Sequence, residues 1–151
     1  TVTGVQTCAL PISIAQATTG VSSEKPGKLL DAKQVLELQS LVRRMVVCDH
    51  VATYAVKLAR ATRPNGEEAP AFVKQYVRWG AGPRAVQYLV LGAKARAVLQ
   101  GTTNVSTQHV RDIAPLVLRH RVLTNFAAEA EGITPDTIVQ RLLSEVKEDA
   151  A

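Results

Sequence analysis

The spacing of apolar residues after Leu30 sets the tightest limit on what this chain can fold into. They recur at steps of three and four in one segment after another, the period of a helix with a single buried face. Val35, Leu38, Leu41, Val42 and Met45 form such a stripe over residues 32–45, with Asp31 as N-cap. Val51, Tyr54, Ala55, Leu58 and Thr62 form a second over 50–62, with Asp49 as cap and Arg63-Pro64-Asn65-Gly66 as stop. A short helix is expected over 70–78, with Pro70 in its first turn. Trp79-Gly80-Ala81-Gly82 reads as a tight connection. Pro83 then opens the strongest helix, Ala- and Leu-rich, running to Gln100 and ending at Gly101, with Val86, Leu89, Val90, Ala93 and Ala97 on one side. Ser106 caps a helix over 107–118, with Val110, Ile113, Ala114 and Val117 inward and Arg119-His120-Arg121 at its carboxyl end. Thr134-Pro135-Asp136 opens a last helix carrying Ile138, Val139, Leu142, Leu143 and Val146. The only strand-like residues are Asn104–Val105. The expected fold is all-α, a small bundle of five or six helices.

Composition agrees with that class. Of 151 residues, 46% are apolar and only 4% aromatic, so the core must be built from Ala, Val and Leu. No apolar run is long enough for a membrane span. Two cysteines, Cys8 and Cys48, make neither a disulfide framework nor a zinc set. The net charge of +5 would favour an anionic partner without specifying one.

The amino-terminal stretch is different in kind. Thr1 to Ser23 contains no charged residue, and Pro11 interrupts its one apolar run. A signal peptide would want a basic start and a longer apolar core, although Ala15-Gln-Ala17 mimics a cleavage site. Residues 1–13 instead look like translated sequencing-adaptor sequence, a non-native tag on a gene fragment. On this reading residues 1–30 are a non-native or loose segment and loop, 31–147 the helical domain, and 148–151 a tail.

Self-contained catalysis has little support. No Gly-rich phosphate loop and no His-Glu-x-x-His motif occurs, and His50, His109 and His120 are too dispersed for a local metal site. Cys48 reads as a small half-buried residue, and Asp49-His50 as a helix cap beside a surface imidazole. One constellation stands out, Tyr76-Val-Arg-Trp-Gly-Ala-Gly-Pro-Arg84-Ala. Arg84 falls in the first turn of the best helix, where it adds positive charge to an end that already carries it. That arrangement suits an anion such as phosphate, unless Glu67 or Glu68 balances the arginine.

Gly80-Ala81-Gly82-Pro83-Arg84-Ala85, followed by a long Ala-rich helix, resembles the sensor-2 segment of MoxR-type AAA+ ATPases. Asp49-His-Val with Tyr54-Ala-Val-Lys-Leu-Ala-Arg-Ala-Thr-Arg-Pro64 resembles that family's second lid helix. Asn104-Val-Ser-Thr-Gln-His-Val110 matches its tail-helix start, while Leu118-Arg-His-Arg121 and Glu129-Ala-Glu-Gly-Ile-Thr-Pro-Asp136 match its carboxyl-terminal tail. Ala17-Thr-Thr-Gly20 resembles the end of the preceding ATPase core, placed near 14–20. The resemblance covers roughly 14–147. It departs at Gly82, where the family usually has Ser, and at Gln108 and His109, which replace a proline and an acidic residue.

The resemblance implies a helical AAA+ lid that closes over ATP, with Arg84 as the sensor-2 arginine and Gly80, Ala81, Gly82 and Pro83 beside it. ATP and Mg²⁺ would be used only in the full-length protein, an ATPase whose Walker A and Walker B motifs this chain lacks. The implied partners are the ATPase core of the same protein, neighbouring subunits of a homo-oligomeric ring, commonly a hexamer, and proteins with von Willebrand A domains. A cytoplasmic, chaperone-like protein is the corresponding expectation. Two other readings compete. Val105–Ala114 could act as a recognition helix presenting Thr107, Gln108, His109 and Arg111 to nucleic acid, although the basic residues are scattered and not gathered in a stripe. The bundle could also be a structural adaptor with no nucleotide, in which Arg84 would be dispensable.

Overall fold

In the computed structural model, the described residues are 12–16, 19 and 27–147. The chain falls into two compact units, residues 1–34 and 35–151. In the first, residues 12–16 are helical (α1). The tag assigned to residues 1–13 lies outside the described residues except at positions 12 and 13, and the 148–151 tail lies outside them entirely.

Helix α2 spans Ala32–Arg44. Asp31 caps it as expected, its carboxylate accepting from the Gln34 amide at 2.7 Å while the Gln34 side chain accepts from the Asp31 amide at 2.9 Å. Most of its apolar stripe faces solvent, while Val42 is half-buried and Met45, just past the helix, packs partly against the core. Val35, Leu38 and Leu41 are 40%, 47% and 40% exposed, and no α2 residue is buried.

The core belongs to α3 (Asp49–Ala61), α5 (Pro83–Leu99), α6 (Thr107–Leu118) and α8 (Pro135–Glu145). All five expected α3 positions, Val51, Tyr54, Ala55, Leu58 and Thr62, are buried. They meet Leu89 of α5, Val110, Ala114 and Leu118 of α6, and Ile138, Val139 and Leu142 of α8. Helix α5 buries small residues, Ala85, Ala93 and Ala97, so α6 approaches closely. A Cβ at Gly92 would stand 2.6 Å from Ile113 Cγ2, which shows how tight the crossing is. Arg111 fastens three helices together, donating to Tyr54 Oη of α3 at 2.8 Å and to the Leu143 carbonyl of α8 at 2.7 Å.

Helix ends follow local chemistry. Ser106, Asn125 and Thr134 each accept from a first-turn amide, Pro135 sits in the first turn of α8, and Gly101 takes φ +68° after α5. Several local expectations need correcting, and Cys48, expected to be half-buried, is exposed. Helix α3 starts at Asp49 with Cys48 as N-cap, so Asp49 is a first-turn residue facing the positive end of the dipole. Helix α4 (Ala71–Tyr76) follows Pro70 as N-cap and stops two residues short of 78, because Val77–Trp79 is extended as β1. Strand β1 pairs antiparallel with β2 (Leu123–Thr124), whereas Asn104–Val105 forms no strand. A five-residue helix, α7 (Phe126–Ala130), was not foreseen, and the described residues hold eight helices instead of five or six. The class is all-α, with this two-stranded clasp as its one extended element among the described residues.

Candidate functional site

The segment Gly80–Arg84 joins β1 to α5, and three contacts hold it against the end of α3. The buried Thr62 hydroxyl donates to the Ala59 carbonyl at 2.7 Å and accepts from the Ala81 amide at 2.8 Å. Arg63 Nε donates to the Ala81 carbonyl at 2.9 Å. Gly80 lies directly on the α3 terminus, where a Cβ would fall 2.3 Å from the Thr62 carbonyl oxygen. Only a residue without a Cβ permits that approach. Thr62 is one of two buried polar residues among those described, and its hydrogen-bonding capacity is spent on fixing this loop.

The pinned loop delivers Arg84 to the second position of α5. Gly82 is the N-cap, with φ −84° and ψ −179° and no side chain to accept from the first turn. Pro83 has no amide hydrogen, and the Ala85 amide is taken by the Gly82 carbonyl at 2.9 Å. Attraction for an anion therefore comes from the helix dipole and the Arg84 guanidinium, not from a cradle of free amides. Arg84 is exposed and makes no ion pair among the described residues. Glu68, one candidate to balance it, pairs with Arg60 at 3.2 Å.

Beside this turn lies an open cleft of about 490 Å³. Gly80, Ala81, Gly82 and Pro83 all line it, so four of the five expected site residues share one surface, and Arg84 follows the last of them. Arg63, Asn65, Arg78 and Trp79 complete the polar and aromatic lining, which contains no carboxylate. Trp79 is 67% exposed. A basic cleft with an accessible indole fits a phosphorylated ligand carrying a planar group. The described residues contain no group of three His, Cys, Asp or Glu able to hold a metal. Sequence reasoning missed Thr62 and Arg63 as site-forming residues, because Thr62 looked like one more member of an apolar stripe and Arg63 like part of a stop signal.

The surface offered for nucleic-acid recognition is not assembled. His109 is buried. Its Nδ1 accepts from the Ser106 amide at 3.0 Å and its Nε2 bonds Gln100 Oε1 at 2.7 Å. Arg111 is spent on Tyr54 and Leu143. His109 thus performs the capping-box task that Glu or Gln usually takes at this position.

Residues 70–142 match the AAA lid domain family, and that span contains the pinned loop, α5 and the cleft's Arg78 and Trp79. This segment is therefore an AAA+ lid domain. The chain is 31% identical over 127 residues to the Chaperone MoxR1 of Mycobacterium tuberculosis, a match covering 84% of this chain and 34% of that protein. It is 27% identical over 125 residues to the Protein MoxR of Methylorubrum extorquens, covering 78% and 36%. A crystal structure of a candidate ATPase from Cytophaga hutchinsonii superposes with a TM-score of 0.81 at 25% identity, over 93% of this chain and 43% of that one. The lid is of the MoxR type. The chain spans about a third of the length of the curated relatives it matches.

Proposed function

We propose that this lid closes over ATP in a MoxR-type AAA+ ATPase and that Arg84 is its sensor-2 arginine. The observation that carries the reading is an exposed guanidinium without an ion-pair partner, held at the dipole-positive end of α5 by a loop pinned to α3. Arg63 and Arg78 in the adjoining cleft extend the same positive field, and Trp79 offers a face for a base. Bound Mg-ATP supplies the phosphoryl group that is transferred to water. Arg84 contributes charge and a planar fork directed at the γ-phosphate oxygens. Gly80, Ala81, Gly82 and Pro83 set its position and bring no reactive group.

Within this reading, residues 31–147 are the lid and 14–20 close the preceding core. That core supplies the phosphate loop and the metal ligands, and the lid packs within a homo-oligomeric ring, a hexamer in the family's usual form. A chaperone-like action on proteins with von Willebrand A domains, in the cytoplasm, belongs to the same proposal. Among the described residues, no helix is long and apolar enough to cross a membrane.

The test is ATP turnover by the full-length protein. Arg84→Ala should lower turnover roughly 10- to 100-fold, about 1.4 to 2.7 kcal/mol of transition-state stabilisation. Arg84→Lys should restore little, since an ammonium lacks the bidentate geometry. The 151-residue chain alone should show no saturable Mg-ATP binding in calorimetry at micromolar concentrations. Unchanged turnover in Arg84→Ala would remove the sensor assignment, and tight binding by the chain alone would remove the lid-only reading.

A further inference from the structure

Helix α5 is apolar on two sides, and the fold uses only one of them. Ala85, Leu89, Ala93 and Ala97 are buried in the bundle. The other side presents Tyr88 and Leu91, 48% and 38% exposed, while Val86 and Val90 are half-buried at its margin and pack partly against the core. A helix apolar on opposite faces is expected to be covered on both. Two shallow grooves flank this outer face and share Leu91. One, of about 500 Å³, has Val86, Val90 and Leu91 as floor and Arg43 and Lys94 at its edge. The Lys94 ammonium donates to the Arg43 carbonyl at 3.2 Å, which brings the end of α2 to this groove. The other, of about 360 Å³, runs between α5 and α6, floored by Leu91, Leu116 and Val117 and edged by Tyr88, His120 and Arg121. Leu116 is 60% exposed. The Arg121 guanidinium lies 4.9 Å from the Tyr88 ring centroid, bonds the Val117 carbonyl and contacts His120 Nε2.

The charge pattern names the occupant. Arg43, Lys94 and Arg121 stand on both flanks of the apolar ridge, none has an ion pair among the described residues, and neither groove is lined by a carboxylate. A basic partner would be repelled from both edges, and an uncharged one would leave three cations uncompensated beside a drying interface. We propose that the outer face of α5 is a docking surface for an acidic amphipathic helix of a partner protein. The helix lays leucine-type side chains over Leu91 and Leu116 and aligns carboxylates with Lys94 and Arg121. This surface is lined by different residues from the Gly80–Pro83 cleft, and the inference stands independently of the nucleotide reading.

The experiment titrates the 151-residue chain into a fluorescent 18-residue peptide with Leu at helical three- and four-residue steps and Glu on its remaining positions. Saturable binding is expected, weakened several-fold between 50 and 500 mM salt. Leu116→Ala and Lys94→Glu alter exposed or half-exposed side chains and should each weaken it about tenfold, with circular dichroism unchanged. Arg121→Gln serves as the second charge variant should Lys94→Glu lose helicity. Amide shift perturbations should fall on α5, the end of α2 and the end of α6. The proposal is overturned by no saturation at 1 mM peptide, by equal binding of the Lys-substituted peptide, or by shifts confined to the exposed stripe of α2. Sedimentation showing a dimer that Leu116→Ala dissolves would also overturn it, because the occupant would then be a second copy of the chain.

Discussion

Replacing Gly80 with Ala is the sharpest probe of how the Arg84 turn is built. The new Cβ would lie 2.3 Å from the Thr62 carbonyl oxygen, 2.6 Å from its carbon and 2.7 Å from Arg63 Cα. All three are backbone atoms at the end of a packed helix, so no side chain can swing aside. The loop must lift away, and lifting it breaks the Ala81 amide bond to Thr62 Oγ1 and the Arg63 bond to the Ala81 carbonyl. Overpacking costs about 1–3 kcal/mol, and a buried amide left without an acceptor costs about 1–3 kcal/mol. Because lifting partly relieves the overlap, the two do not sum, and about 3 kcal/mol is expected, or a fall on the order of 10 °C in Tm. Gly82 is the internal control. A Cβ there meets nothing within 4 Å, and its φ of −84° suits any residue. Gly82→Ser should therefore be tolerated and should stabilise by about a few tenths of a kcal/mol, by supplying the missing N-cap side chain. Thermal melts followed by circular dichroism on the three proteins decide the matter. A Gly80→Ala protein melting within a degree of the parent would show that the loop is not seated on α3, and the account of how Arg84 is aimed would fail.

Two further outcomes follow from the hydrogen-bond network. His109→Ala removes the acceptor for the Ser106 amide and the partner of Gln100, and should cost about 1–2 kcal/mol in chemical denaturation, whereas His109→Gln, an ordinary capping-box residue, should recover much of it. Tyr76 donates to Glu131 Oε2 at 2.8 Å, and that bond, with desolvation and the nearby carboxylate charge, raises its phenol above the usual value of 10.0. A raised folded value means that the contribution is whole below pH 10 and is lost as pH climbs through the folded value, so Tyr76→Phe should lower stability modestly at neutral pH, flatten the alkaline limb of a stability–pH curve and converge with the parent at the alkaline end.

Much of the fold is legible in the sequence, for specific reasons. The stripes of α3, α6 and α8 are buried where the three-and-four spacing put them, and Asp31, Ser106 and Thr134 cap where side-chain chemistry said they would. The stripe of α2 misled, because periodicity reveals an apolar face and says nothing of what covers it. Strands of three and two residues carry no period to detect, and their pairing joins distant parts of the chain. The five residues of α7 are likewise too few to show one. The placement of Arg84 in a first turn could be read from Pro83 beside it. The contribution of Thr62 and Arg63 could not, since it exists only once the end of α3 meets the loop before α5.

The β1–β2 clasp has a consequence in time as well as in space. It pairs Val77 with Thr124, and the Asn125 amide and side chain extend it by donating to the Tyr76 and Gln75 carbonyls at 2.9 and 2.7 Å. Everything between those strands is α5, α6 and their connection. Closing so long a loop from a disordered chain carries an entropic cost that a few backbone hydrogen bonds do not offset. The two helices must first fold back on each other and bring the strand ends together, after which the clasp forms at little further loss of freedom. Its cross-strand amides should consequently exchange with solvent whenever the α5–α6 hairpin opens, and hydrogen exchange at Asn125, whose amide bonds the Tyr76 carbonyl, reads the integrity of two helices to which it does not belong.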